Sequence, residues 1–339
     1  MPHLPPVSRF LSNNGVRIYR IGCRVFETLS ARVYLLLGAG PATLVDTGSG
    51  LEACNRDILA GLEAVRHEFG EPISVADVRR ILVSHGHIDH VGGLPRFCRE
   101  GRVEVLMHAL DCSVVTAPEE HLAVAKARLR VFLNHAGEEP AHREALITTS
   151  FALRRPIEAM AVTTRLNDGD ELDGMRILHT PGHSPGQVCV AVGNVLLSAD
   201  HILARTVPQQ WPESITPYHG LGHYLDSLDK IQGIPGLELT LPAHEQIIQD
   251  VYARIHTIRA AHLRRLDRLL ATLRRADRPL SLSEITAQLY PDVTGIRAAL
   301  AITDVGARVE YLHQRGRLQV VNLDEIQAQD QPVYRYAVV

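Results

Sequence analysis

Residues Ser84–His90 read Ser-His-Gly-His-Ile-Asp-His, which sets three imidazoles and a carboxylate within six positions. The apolar stretch Val78–Val83 predicts a short buried strand that delivers the chain into this run, and Gly92-Gly93 follows it. His85 and His87 alternate along an extended loop, so both can point the same way. Asp89 and His90 lie beyond a turn and can face a second point from the same loop. Three further residues sit just after predicted strands far along the chain. His183 falls in His179-Thr180-Pro181-Gly182-His183-Ser184-Pro185-Gly186, Asp200 ends the stretch Val195–Ala199, and His244 follows Leu239–Leu241. A lone histidine such as His67, His121 or His142 is usually a surface residue. Seven such groups at strand ends form the pattern of a two-metal hydrolytic site.

The chemistry explains the residue types. Zinc takes imidazole nitrogens and carboxylate oxygens, and catalytic sites keep a position open for water. A carboxylate at Asp200 can bridge two cations of the kind that lie ~3.5–4 Å apart in two-metal hydrolases. Such a pair lowers the pKa of a shared water, which gives a nucleophile at neutral pH without a protein base.

Around these residues the pattern is layered α/β. Strands are predicted at Val16–Ile21, Val33–Leu37, Ala42–Val45, Val103–Met107, Ala161–Leu166, Met175–Leu178, Gln187–Val192, Val195–Leu197 and Leu237–Leu241. Helices are predicted at Leu51–Phe69, near Leu94–Arg99, and at Tyr224–Ile231. Residues 109–160 lack a strand pattern; Leu122–Leu133 and His142–Leu153 predict two amphipathic helices, a helical insertion suited to a lid or to packing. From about residue 250 the composition shifts. Gln246–Arg275 predicts a long helix rich in arginine, followed by Ser283–Tyr290 with Ser283 as N-cap and by Gly295–Arg315. Two strands, Arg317–Val321 and Val333–Val338, joined by a polar turn, complete the order of a winged helix. The expected division is 1–250, a hydrolase domain, and 251–339, a linker helix with a winged-helix domain.

The motifs resemble those of the metallo-β-lactamase-fold hydrolases, whose HxHxDH signature stands here as His85, His87, Asp89 and His90. Asp46 in Leu44-Val45-Asp46-Thr47-Gly48, His183 in its Thr-Pro-Gly-His-Ser-Pro-Gly turn, Asp200 and His244 match other elements of that family across roughly residues 15–250. The resemblance implies an αββα sandwich with two metal ions at one edge. It assigns His85, His87 and His183 to the first ion, Asp89, His90 and His244 to the second, and Asp200 to both. Asp46 would orient a ligand histidine through a hydrogen bond. The C-terminal unit resembles, more loosely, the winged-helix appendage of the branch named for β-lactamase-like protein 2. Ser84 stands where the family usually has Thr, and Ala199-Asp200 and Pro242-Ala243-His244-Glu245 replace more glycine-rich surroundings. Asp200 argues against a true β-lactamase, and the complete ligand set against the one-iron dioxygenases of the family.

The fold alone does not choose a substrate. The expected activity is hydrolysis of a small-molecule acyl bond, a thioester or ester. A metal-bridging hydroxide attacks the carbonyl carbon, and Asp89 or Asp200 orients it. Two zinc ions are expected, with iron or manganese as alternatives. Trp211, Tyr218, His219 and His223 are candidates for a substrate wall. The competing reading is an endoribonuclease or other nucleic-acid-processing phosphodiesterase that uses the winged helix to hold RNA. Arg254–Arg317 carries twelve arginines against six acidic residues, and basic surface can track phosphates. Against it, the whole chain has a net charge of -3 and the helix over Gly295–Arg315 offers few base-reading side chains. The first residues show no basic region followed by an apolar run, and no stretch nears the ~18 apolar residues of a membrane span. Five scattered cysteines without a CxxC pair suit a reducing cytoplasm, where a homodimer is expected.

Overall fold

The computed structural model describes residues 6–99, 102–152 and 157–339. Seven strands form the first sheet in chain order: β1 (Ser8–Leu11), β2 (Arg17–Arg24), β3 (Ser30–Leu37), β4 (Thr43–Val45), β5 (Arg80–Val83), β6 (Glu104–His108) and β7 (Thr164–Leu166). β1 to β4 pair antiparallel and β4 to β7 parallel. The second sheet holds β8 (Glu171–Leu172), β9 (Met175–His179), β10 (Val188–Val192), β11 (Val195–Ala199) and β12 (Leu239–Pro242), in the order β12-β11-β10-β9-β8.

Period-two alternation divides each strand between two cores. In β3, Tyr34 and Leu36 join a cluster with Val188, Val190 and Val192 of β10, so the two sheets pack face to face there. Val33, Leu35 and Leu37 point the other way, toward Ile58 and Leu62 of α1 (Glu52–Glu68). Cys189 and Ala191 of β10 likewise face helices on the far side of the second sheet. The order helices, sheet, sheet, helices is the sandwich expected from the motifs.

Short helices α2 (Ile88–Val91), α3 (Leu94–Phe97) and α4 (Ser113–Thr116) lie on the first-sheet side of the chain, followed by α5 (Pro118–Ala136) and α6 (Pro140–Phe151). The insertion is therefore helical, as predicted. The predicted end of its second helix at Leu153 falls outside the described residues. After α7 (Leu221–Gln232), the long helix α8 spans Val251–Arg275 rather than beginning at Gln246. Ile248 instead pairs with Thr240 of β12, and the Asp250 side chain caps the helix by accepting from the Ala253 N–H at 2.9 Å.

Two C-terminal expectations need correction. The N-cap of α9 (Leu282–Leu289) is Ser281, not Ser283, because Glu284 completes a capping box with Ser281. The two last strands are not joined by a simple turn. After α10 (Ile296–Gln314) come β14 (Leu318–Val320), a short helix α11 (Leu323–Ala328), and β15 (Arg335–Val338), which pairs with both β14 and β13 (Leu280–Ser281).

The C-terminal elements share a core with the second sheet. Ile255, Ile258 and Leu269 of α8, and Ile302, Val305 and Val309 of α10, belong to one cluster with Leu178, Cys189 and Leu196 of the sheet and Leu129 and Phe132 of α5. α10 is buried on several faces, including Ala301, Gly306, Ala307 and Arg308. Among the described residues, no helix is long and apolar enough to cross a membrane.

Candidate metal centre

The ends of β4, β5, β9, β11 and β12 meet at one edge of the sandwich, and each carries polar residues there. Asp46, Ala199 and Glu245 adopt positive φ (64°, 45° and 64°) although none is glycine. Each is, or adjoins, one of the residues singled out by the sequence, so backbone strain gathers where strands turn into the site. The Asp46–Gly50 loop lies directly on Gly92-Gly93. A Cβ on Gly93 would sit 2.1 Å from the Thr47 carbonyl oxygen, which is why glycine follows the histidine run. Thr47 also donates its N–H and hydroxyl to the His90 carbonyl, at 2.8 and 2.9 Å.

The structure gathers the seven residues into two neighbouring groups. Ligand atoms of His85, His87, His183 and Asp200 lie within 4.8 Å of one another, and so do those of Asp89, His90 and His244. Asp200 stands between them. Its Oδ2 is 3.7 Å from both His183 Nε2 and His90 Nε2, and its Oδ1 is 3.5 Å from His244 Nε2. Asp89 Oδ2 is 3.4 Å from His244 Nε2.

These donors fit divalent cations. His85 Nε2 and His183 Nε2 both approach His87 Nδ1, at 3.0 and 3.1 Å. One ring nitrogen cannot hydrogen-bond well to both, whereas tetrahedral zinc with ~2.0–2.1 Å bonds to nitrogen holds its donors roughly 3.3 Å apart. His90 Nε2 and Asp200 Oδ1 are buried without a hydrogen-bond partner, at a cost only a bound ion or similar group removes. The opposite ring nitrogens are spoken for. His90 Nδ1 donates to Asp46 Oδ2 at 2.8 Å, His183 Nδ1 to the Gln209 carbonyl at 3.1 Å, and His244 Nδ1 to the Ser30 carbonyl at 2.8 Å. Each bond fixes a tautomer that leaves a lone pair on Nε2 facing the site.

Asp46 does more than orient His90. Its Oδ1 accepts the Ser84 N–H and its Oδ2 the Ser84 hydroxyl, each at 2.8 Å. With its proton committed there, the Ser84 oxygen, 3.1 Å away, can accept from His85 Nδ1.

Electrostatics separates the histidines. Burial, then the neighbouring His90 and His87, hold His85 well below its ordinary pKa, and burial lowers His183. Both are neutral donors. Burial works against charge on His244, yet Asp200 and Asp89 raise it to about 9. Burial also works to raise Asp89, but His90 and His244 bring it down to about 2. Ionised carboxylates at this depth call for positive charge beside them.

Asp111 was not singled out by sequence. It follows β6 and is buried, with Oδ2 accepting from the Gly86 N–H at 2.8 Å and the Ser184 hydroxyl at 2.6 Å, and Oδ1 from the Gly186 N–H at 2.7 Å. It thereby ties the His85–His87 loop to the His183 turn. Its place just past a predicted strand was the available signal.

The segment 205–224 borders the site. Gln209 touches the site through its carbonyl, and His219 bridges to Gly182 beside His183. Trp211 is buried, and His223 is held by Glu213 at 2.8 Å.

Comparison with known proteins agrees with this geometry. The family profile of the Metallo-beta-lactamase superfamily matches residues 28–271. The chain belongs to that superfamily. As a member it is a metal-dependent hydrolase, as its sequence predicts. Its relatives include a probable metallo-hydrolase of Bacillus subtilis, 22% identical over 83% of this chain and 86% of that one. The Beta-lactamase-like protein 2 homolog of Drosophila melanogaster is 25% identical over 94% of each chain. An atrochrysone carboxyl ACP thioesterase of Aspergillus aculeatus is 25% identical over 79% of this chain and 74% of that one. A crystal structure of a metallo-beta-lactamase family protein from Thermus thermophilus superposes with a TM-score of 0.74 and 27% identity, covering 95% of this chain and 98% of that chain.

Proposed function

We propose that this hydrolase carries two zinc ions and cleaves a small-molecule acyl bond, a thioester or ester. The observation that carries the reading is Asp200, whose two oxygens face His183 on one side and His244 on the other. His85, His87 and His183 would hold one ion, Asp89, His90 and His244 the other, with Asp200 contributing to both. Bound there, the ions supply Lewis acidity and an activated water at neutral pH. The protein's own part is positional. Asp46, Gln209 and Ser30 fix the ring nitrogens, and Asp111 fixes the spacing of two ligand loops. Asp89, with its pKa near 2, stays ionised and can accept a hydrogen bond from the attacking water. The thioesterase name of the Aspergillus relative supports the acyl substrate.

The C-terminal helices and strands have the order of a winged helix, and we read residues 251–339 as such a unit set against the hydrolase part. Its third helix, α10, is enclosed rather than presented to a groove. Several arginines are also committed internally. Arg254 donates to the Leu203 and Thr206 carbonyls, Arg259 to that of Leu225 and Arg268 to that of Leu289. Both observations favour the acyl substrate over RNA.

The test is a metal-loaded sample assayed against acyl thioesters, aryl esters and single-stranded RNA, with zinc counted per chain. Turnover of a thioester or ester with two zinc ions per chain supports the proposal. Cleavage of RNA without acyl turnover overturns it.

A further inference from the structure

A cavity of about 750 Å³ carries none of the metal-centre residues. It opens between α5, α10 and β15, and its size suits a small organic ligand, since such pockets run to roughly 300–1,000 Å³. Much of the wall is apolar. Val131 and Phe132 come from α5, Val309 from α10, and Tyr334 and Tyr336 from β15 and the residue before it. The cavity is built in, not a loose seam. Gly306 of α10 lets the Phe132 ring lie so close that a Cβ there would meet it at 2.6 Å. His135 stacks on Tyr334 with centroids 4.5 Å apart, and the Tyr334 N–H donates to the His135 carbonyl at 2.9 Å.

The charged groups in the wall are unbalanced. Among the described residues of the wall, two carboxylates, Glu213 and Glu310, face one guanidinium, Arg128 on the exposed side of α5, and no lysine takes part. Glu310 accepts the Ser214 N–H and hydroxyl, and Glu213 accepts from His223 and Gln314. Burial pushes the Glu310 carboxyl above its usual range. A positive group entering beside it would recover what burial costs. Three aromatic rings, Phe132, Tyr334 and Tyr336, line the wall, and aromatic rings attract cations as well as hydrocarbon. An anionic ligand would instead meet two carboxylates.

We propose that the cavity between α5, α10 and β15 is a binding site for an organic cation with an apolar body, an alkylammonium or an arylalkyl amine. This site is separate from the metal centre and does not depend on the acyl-hydrolase reading.

Three probes that share a ten-carbon chain and differ in the head group test it by calorimetry on the metal-loaded full chain: decyltrimethylammonium, decanol and decanoate, all well below micelle formation. Decyltrimethylammonium should saturate one site per chain, at least ten-fold tighter than decanol, with decanoate weakest. Val131→Trp fills the cavity from a position that is 54% exposed, so folding should survive, and it should weaken the cation at least ten-fold. Val124→Trp, on the same helix but outside the cavity wall, should leave binding unchanged. Glu310→Gln should abolish the preference for the cation over decanol while decanol still binds. Cation binding that Val131→Trp leaves intact, or decanoate bound as tightly as the cation, overturns the proposal.

Discussion

The metal edge and the seam between the second sheet and the C-terminal helices bury polar groups in opposite ways. At the edge the candidate ligands and their supports are tied by directed bonds. Asp46 takes three hydrogen bonds, Asp111 takes three, and His85, His90, His183 and His244 turn their outer nitrogens to named acceptors. In the seam, His262 is fully buried with both ring nitrogens unpartnered, and Arg308 is buried with its Nε and one Nη unpartnered. Apolar contact does the holding there. The edge is thus specified by directed bonds and the seam by packing. Changes at the edge should disturb chemistry before stability, and changes in the seam the reverse.

The largest effect should come from Asp200→Ala. On the proposed assignment both ions lose a ligand, so zinc content per chain should fall and turnover drop by about 100- to 1000-fold, the scale of losing one strong transition-state interaction. Metal analysis alongside kinetics checks this, and full zinc with full turnover would undo the assignment. In the seam, Leu269→Ala should cost ~2–5 kcal/mol of stability, as large-to-small changes in a core do. Turnover per folded molecule should stay at the parent level. A fall in that specific activity would show the two regions to be mechanically coupled. Asp111→Ala should then sharpen the contrast from the other side. It should weaken zinc affinity ~10–100-fold, as outer-sphere changes do, with the far-ultraviolet circular dichroism spectrum unaltered.

The smallest effect concerns pH. Burial holds His262 down to about 3, helped by Arg308 and Arg265 nearby, while an unfolded histidine titrates near ~6.5. As pH falls below ~6.5 the unfolded chain takes up the proton first. This contribution to stability is therefore complete above ~6.5 and is lost progressively toward 3, about 1–2 kcal/mol by pH 5. His262→Leu should remove that part of the slope when urea midpoints of the two proteins are compared across pH 5–8. Parallel slopes would show that His262 already finds a partner.

The same contrast governs what could be read from sequence. The candidate metal ligands are legible because such ligands need particular atoms at strand ends, and strand ends are marked by the shift from β-branched residues to Gly, Pro and Asp. Asp111 escaped because a single carboxylate past β6 has no companion nearby to flag it. β1 is short and only half-buried on an edge, and β8 is two residues long, so neither gives a run of apolar residues. Ser281 and Ser283 both suit an N-cap, and only the spacing to Glu284 chooses the first. α11 is hidden in a polar stretch whose Leu323 and Ile326 are too few to show a period. The enclosure of α10 was legible in principle. Its alanines, Gly306 and branched residues run nearly all round the helix, the mark of a buried one.

Gln209 links the two regions. Its carbonyl steadies His183, while its side chain donates to Thr303 Oγ1 at 3.0 Å and the Leu300 carbonyl at 3.3 Å, both on α10. The last quarter of the chain is consequently a buttress, not an accessory that could be trimmed away. Any natural descendant that sheds it must find another prop for that imidazole.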